Sequence, residues 1–151
     1  MDPKKEVPPI LMAEDDADDR LITRKALEQN RVANPLITVG DGEELLDYLH
    51  RRGKYAPPAP APTPCIILLD LNMPKMDGRE ALKLIKLDPE LRKIPVVILT
   101  TSKAEEDILR TYNTGANSYI TKPVTFPGLL DVIRSLKSYW LEIVDLPGKK
   151  D

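Results

Sequence analysis

Along this chain, short apolar runs alternate with longer stretches in which apolar residues return every three or four positions. The first pattern is that of a buried strand, the second that of a helix with one core-facing stripe. Residues 9–14 (PILMAE) read as a first strand, and 16–30 as a helix with Leu21, Ile22, Lys25, Ala26 and Gln29 at helical spacing. A second strand over 36–39 leads into a helix over 42–52 with Leu45, Leu46 and Leu49 on one stripe. The third strand covers 66–69. A short helix over 79–87 follows, carrying Ala81, Leu82, Leu84 and Ile85 and stopping near Asp88-Pro89. After Ile94-Pro95 comes a fourth strand, 96–99, then a helix over 104–113 closed by Gly115, a good C-cap residue. Tyr119 and Ile120 lie in a fifth strand, and a long last helix spans 127–144.

Strands that alternate with helices build a parallel sheet through right-handed crossovers, with helices on both faces. The expectation is a single α/β domain over 9–146 with a doubly wound five-stranded sheet, a mobile tail at 1–8 and another at 147–151. Residues 55–64 (YAPPAPAPTP) are too rich in proline for a helix or central strand and read as a semi-rigid surface loop. In the last helix Phe126, Leu129, Leu130, Ile133, Leu136 and Trp140 form a core-facing stripe. Val132, Tyr139 and Ile143 form a second stripe that a monomer would leave wet, which predicts a homodimer through this face.

Composition narrows the class. At 151 residues with 42% hydrophobic residues the chain has the size of one domain with a sizeable core. A formal charge of −2 and the lack of any basic block argue against nucleic acid as a partner. The single cysteine, Cys65, sits in an apolar run and suits a reducing cytosol. The N-terminal segment MDPKKEVPP has no apolar signal core, and no run approaches the length that spans a bilayer. A cytoplasmic protein without membrane contact is expected. His50, beside Arg51 and Arg52, reads as solvated.

The polar exceptions to the strand pattern fall at strand ends. CIILLDLNMPKMDG runs apolar and then meets Asp70 immediately before a turn, and the first strand ends in Glu14 and Asp15. Asp16, Asp18 and Asp19 suit the cap and first turn of the helix that follows. Neighbouring first and third strands would put Glu14, Asp15 and Asp70 on one sheet edge, where ligands bind in open α/β sheets. Crowded carboxylates raise one another's pKa unless a cation sits between them. Magnesium suits such a set, with Asp15 and Asp70 as direct ligands, Glu14 acting through water and a backbone carbonyl at Asn72. The fourth strand ends in Thr100, Thr101 and Ser102 and the fifth in Lys122-Pro123, hydroxyl and ammonium donors for phosphoryl oxygens.

Glu14-Asp15 after ILMA, Asp70 within LLDLNMPKMDG, Thr100 after VVIL and Lys122-Pro123 after SYIT together resemble the signature of a CheY-like response-regulator receiver domain, over about residues 9–140. LTTSKAEEDILRTYNTGANSYITKPV and SYWLEIVDLP are similar, more narrowly, to stand-alone regulators partnered with bacterial phytochrome-type histidine kinases. The resemblance implies a flavodoxin-like sheet of order 2-1-3-4-5 and a phosphoryl group accepted from such a kinase on Asp70, with Mg2+ as cofactor. It implies Glu14 and Asp15 as the acidic magnesium pair, Asn72 as backbone ligand, Lys122 as the site lysine, Thr100 and Tyr119 as the switch pair, and a cis peptide at Lys122–Pro123. Glu14 replaces the commoner aspartate of that pair. The output surface would be formed by the 104–113 helix, the fifth strand and the last helix. An aspartyl-phosphate hydrolase would need a second carboxylate close behind the nucleophile, where this chain has Asn72, so no enzyme activity is expected beyond the protein's own phosphorylation and dephosphorylation. The alternative is a receiver-fold scaffold that works without phosphorylation.

Overall fold

The computed structural model describes residues 7–100, 116 and 118–141. Its strands are β1 (Ile10–Ala13), β2 (Leu36–Val39), β3 (Ile66–Asp70), β4 (Val96–Thr100) and β5 (Ser118–Thr121). The helices are α1 (Ala17–Gln29), α2 (Gly42–His50), α3 (Gly78–Leu87) and α4 (Phe126–Trp140). All strand pairs are parallel and the sheet order is β2-β1-β3-β4-β5, so β1 and β3 are neighbours as the acidic strand ends require. The helix expected over 104–113, the hydroxyls of Thr101 and Ser102, and Ile143 lie outside the described residues.

Strand side chains alternate between two cores. Leu11, Ala13, Ile67, Leu69 and Ile98 pack with Leu45, Leu46, Tyr48, Ala81, Leu82 and Ile85 of α2 and α3. The intervening Ile10, Met12, Ile66, Leu68, Val97 and Leu99 pack with Ala26 and Leu27 of α1 and Ile133 and Leu136 of α4. Burial on both faces explains why the strands read as unbroken apolar runs.

Helix starts are set by side-chain caps. Asp16 accepts from the N–H groups of Asp18 and Asp19, Asp41 from that of Glu44, Asp77 from those of Arg79 and Glu80, and Thr125 from that of Gly128. Each satisfies donors that the helix itself leaves unpaired. The buried stripe of α1 differs in phase from the expected one: Thr23, Ala26 and Leu27 are buried, whereas Leu21 and Ile22 are exposed. Thr23 can enter the interior because its hydroxyl donates to the Asp19 carbonyl at 2.8 Å. In α4 the expected stripe packs as read, with Ile133 and Leu136 buried, but Val132 is half-buried against the same core rather than on a separate wet stripe. Tyr139 does stand out, with 78% of its surface exposed. α4 stops at Trp140, where Leu141 turns to extended backbone and buries its side chain.

The proline-rich loop is clamped to α2. Tyr48 donates its hydroxyl to the Pro62 carbonyl at 2.8 Å, and Arg51 reaches the Ala61 carbonyl at 3.0 Å. Tyr55 donates to Glu44 at 2.6 Å and packs edge-on against Tyr48. Partial burial opposes ionisation of Glu44, but the bonds from Tyr55, the Gly40 N–H and Lys54 outweigh it and hold the carboxyl down at about 2. A carboxyl lowered on folding stabilises the native state above its unfolded pKa, here 4.5, and that contribution is lost as pH falls towards 2. Glu44→Gln is expected to cost about 1–2 kcal/mol at pH 7 and clearly less near pH 3, as read from denaturant unfolding at the two pH values; an equal cost at both would refute the ionic clamp.

Candidate functional site

Parallel pairing of β1 with β3 brings two acidic strand ends side by side. Asp70 is the last residue of β3, opposite Leu99 in β4, and only 3% of its surface is exposed. Glu14 follows β1 directly and is 1% exposed; its N–H donates to the Val39 carbonyl at 2.9 Å, which extends the β1–β2 ladder past the strand's last residue. Asp15, next along, faces solvent. Glu14, Asp15 and Asp70 each offer an oxygen within 4.8 Å of the others.

Lys122 closes the cluster from the end of β5. Its Nζ donates to Glu14 Oε1 at 2.8 Å, to Asp70 Oδ2 at 3.1 Å and to Asp19 Oδ2 at 3.2 Å. Three N–H bonds on one ammonium meet three carboxylates. This surrounding of acids raises the Lys122 pKa despite partial burial, so the side chain stays charged. Burial, with repulsion from Asp70 adding to it, pushes Glu14 up to about 7 against the opposing pull of Lys122.

The loop after β3 is tightly held. Asn72 is exposed, and its N–H donates to Asp70 Oδ1 at 3.1 Å, fixing the carboxylate's orientation. Gly78 closes the loop by donating its N–H to the Leu71 carbonyl at 3.0 Å. A Cβ on Gly78 would come within 2.6 Å of the Asp70 carbonyl oxygen, so only glycine lets the α3 start approach the acidic strand end this closely.

Other expected residues are placed as follows. Thr100 is the last residue of β4 and pairs with Thr121 across the edge. Tyr119 points inward, 8% exposed, in the core shared by β3, β4 and α3. The cis peptide bond among the described residues is Pro57–Pro58, not Lys122–Pro123. An X–Pro bond favours trans by roughly 0.5–1 kcal/mol, and Lys122 makes all three of its contacts without the cis form. His50 is exposed, 4.0 Å from Asp88. The residue that sequence reasoning misses is Asp19, which reads only as a first-turn acid; its place in the turn of α1 directly after the Glu14–Asp15 strand end is the available signal.

An all-oxygen set of clustered carboxylates beside a backbone turn fits a hard divalent cation of the magnesium or manganese kind. Without one, a carboxyl whose pKa is raised on folding makes stability fall as pH climbs from its unfolded value of 4.5 to about 7, because the unfolded chain releases that proton first. In chelator-treated protein, unfolding free energy is expected to drop by a few kcal/mol at most across that range, and Glu14→Gln to flatten the profile; an unchanged slope in the variant would contradict the assignment.

Comparison with known proteins extends the reading beyond the site. The family model described as the response regulator receiver domain matches residues 10–134. Response regulator Rcp1 of Synechocystis sp. is 40% identical over 139 residues, 92% of this chain and 92% of its own. The phosphorylated cyanobacterial phytochrome response regulator RcpA superposes with a TM-score of 0.79 at 40% identity, over 95% of this chain and 100% of its own. The Mn(2+)-bound form of Rcp1 does so with a TM-score of 0.78 at 39% identity, over 93% and 99%. With the sheet order, the acidic strand ends and a relative similar along nearly its whole length in agreement, the chain belongs to the response-regulator receiver family.

Proposed function

We propose that this protein accepts a phosphoryl group on Asp70 from a sensor histidine kinase of the phytochrome type and passes the signal on through its surface. The observation that carries the reading is the Asp70 carboxylate, buried at a strand end, oriented by the Asn72 N–H and held 3.1 Å from the Lys122 ammonium. The phytochrome assignment is supported by the likeness to RcpA, a phytochrome response regulator, and to the bacteriophytochrome response regulator RtBRR at 39% identity.

In the transfer, an oxygen of ionised Asp70 forms a bond to phosphorus as the bond from phosphorus to the donor histidine nitrogen breaks, and the imidazole leaves with the electron pair. No proton need be removed from the nucleophile. A divalent cation would be held by Asp15, Asp70 and the Asn72 carbonyl, with Glu14 acting through water, and would supply positive charge against the phosphoryl oxygens. Lys122 supplies the chain's own positive charge there, and the Asn72 N–H keeps the acceptor carboxylate aimed. The Thr100 hydroxyl then answers the new phosphoryl group, and Tyr119, buried in β5, couples the edge to an output surface that includes β5 and α4. The chain turns over no external substrate and works in the cytoplasm.

With acetyl phosphate and Mg2+, the wild type is expected to take up about one equivalent of acid-stable, base-labile phosphoryl label and Asp70→Asn none; label retained by the variant would place the acceptor elsewhere. Signalling is proposed to run through a homodimer whose contacts include Tyr139, together with Val132 at its core-facing margin and Ile143. Sedimentation with beryllofluoride and Mg2+ is expected to show a dimer that Tyr139→Ser weakens at least about tenfold, as a buried aromatic anchor would; a monomer throughout would defeat that part of the reading.

A further inference from the structure

The Lys122 ammonium shares two of its three carboxylate partners with the cation cluster. Glu14 and Asp70 belong to the set of converging oxygens, whereas Asp19 does not. A cation drawing on Glu14 and Asp70 therefore competes with Lys122 for them but leaves Asp19 available. Asp19 stands in the first turn of α1, its backbone fixed by the Asp16 cap and by the bond its carbonyl accepts from Thr23. With Lys122 it lines a cavity of about 50 Å3 between α1 and α4, whose remaining walls include the apolar Met12, Ile22, Leu99 and Leu129. Glu14 lines the same cavity and also bonds Lys122, so of the two acids there Asp19 is the one outside the cation set.

We propose that Asp19 is a positioning residue for Lys122: it retains the ammonium at the rim when Glu14 and Asp70 turn to a divalent cation, so that cation and lysine occupy the site together rather than exclude each other. Without Asp19 the ammonium has, among the described residues, Glu14 and Asp70 alone to bond, and it opposes cation entry. The inference rests on the phosphoacceptor reading of the site. It adds Asp19, supplied by α1, to the three acids Glu14, Asp15 and Asp70 that the sequence assigns to the cation.

The test is Mn2+ binding to the metal-free protein, followed by water-proton relaxation, in the wild type, Asp19→Asn, Asp18→Asn, Lys122→Met and the double variant Asp19→Asn/Lys122→Met. Asp18 lies in the same helical turn and carries the same charge, but makes no contact with Lys122, so Asp18→Asn reports the loss of charge alone. Asp19→Asn is expected to weaken Mn2+ binding about fivefold and Asp18→Asn less than about twofold, in line with a partly exposed charge-assisted bond. In the Lys122→Met background the Asp19→Asn effect is expected to shrink to the size of the Asp18→Asn effect. Denaturant midpoints confirm that each variant is folded. Equal losses from Asp19→Asn in both backgrounds, or none in either, would overturn the positioning role while leaving the site reading intact. A wild type that binds no Mn2+ would overturn the cation site and this inference with it.

Discussion

One ammonium holds this protein's reactive edge together. Glu14 and Asp70 are almost fully buried within reach of each other, an arrangement that water would otherwise have to screen. Lys122, brought in from the far side of the sheet by β4 and β5, lies within 3.2 Å of both and of Asp19. Buried charges persist only when paired and hydrogen-bonded. The order β2-β1-β3-β4-β5 is what makes the pairing possible, since it places the ends of β1 and β3 side by side and brings β5 to the same edge. The energetic strain of the cluster is visible in Glu14, whose proton is held up to about 7. A buried acid whose proton is held this high is stabilised by added positive charge, and this is the property a divalent-cation site needs.

The fold around that edge is rigid for local reasons. Aspartate caps at Asp16, Asp41 and Asp77 start three helices, α1 directly after the acidic end of β1, α3 after the loop that follows Asp70, and α2 just after β2. The Gly78 approach to the Asp70 carbonyl keeps the intervening loop short and pressed against the sheet. Together these fix the carboxylates to the scaffold rather than to mobile loops, and positioned groups account for much of what a protein contributes to phosphoryl transfer.

Much of this was legible in the sequence, and the failures have physical causes. The apolar runs gave the strands because both faces of the sheet are covered, and Asp70 stood out because nothing in an apolar interior calls for an acid there. The phase of α1 was misread because hydrophobicity alone favours Leu21 and Ile22 over Thr23, whereas the structure buries Thr23 with its hydroxyl bonded back to the helix. Val132 was assigned to a wet stripe by spacing, yet it sits at the margin of the core, where a 100° stripe has no sharp boundary. Asp19 was hidden by its own adequacy as a first-turn acid: local capping explained it, so nothing in one dimension required a partner more than a hundred residues away. The peptide bond before Pro123 could not be settled by residue type, because both isomers of an X–Pro bond lie close in energy.

The clamp between α2 and the proline-rich loop has a consequence for how the molecule tolerates change. That loop enters the sheet at the beginning of β3, beside Pro9 and Pro35 at the starts of β1 and β2, while the carboxylates stand at the strands' other ends. Five residues of β3 separate the two rims, roughly 16 Å of extended chain. Tyr48, Arg51 and Tyr55 tie the loop to α2 and thereby shield the sheet from whatever length or composition the loop adopts. The molecule is thus divided into a constrained pole, where the carboxylates and Lys122 are fixed against one another, and a permissive pole where material can be inserted, exchanged or decorated without disturbing it.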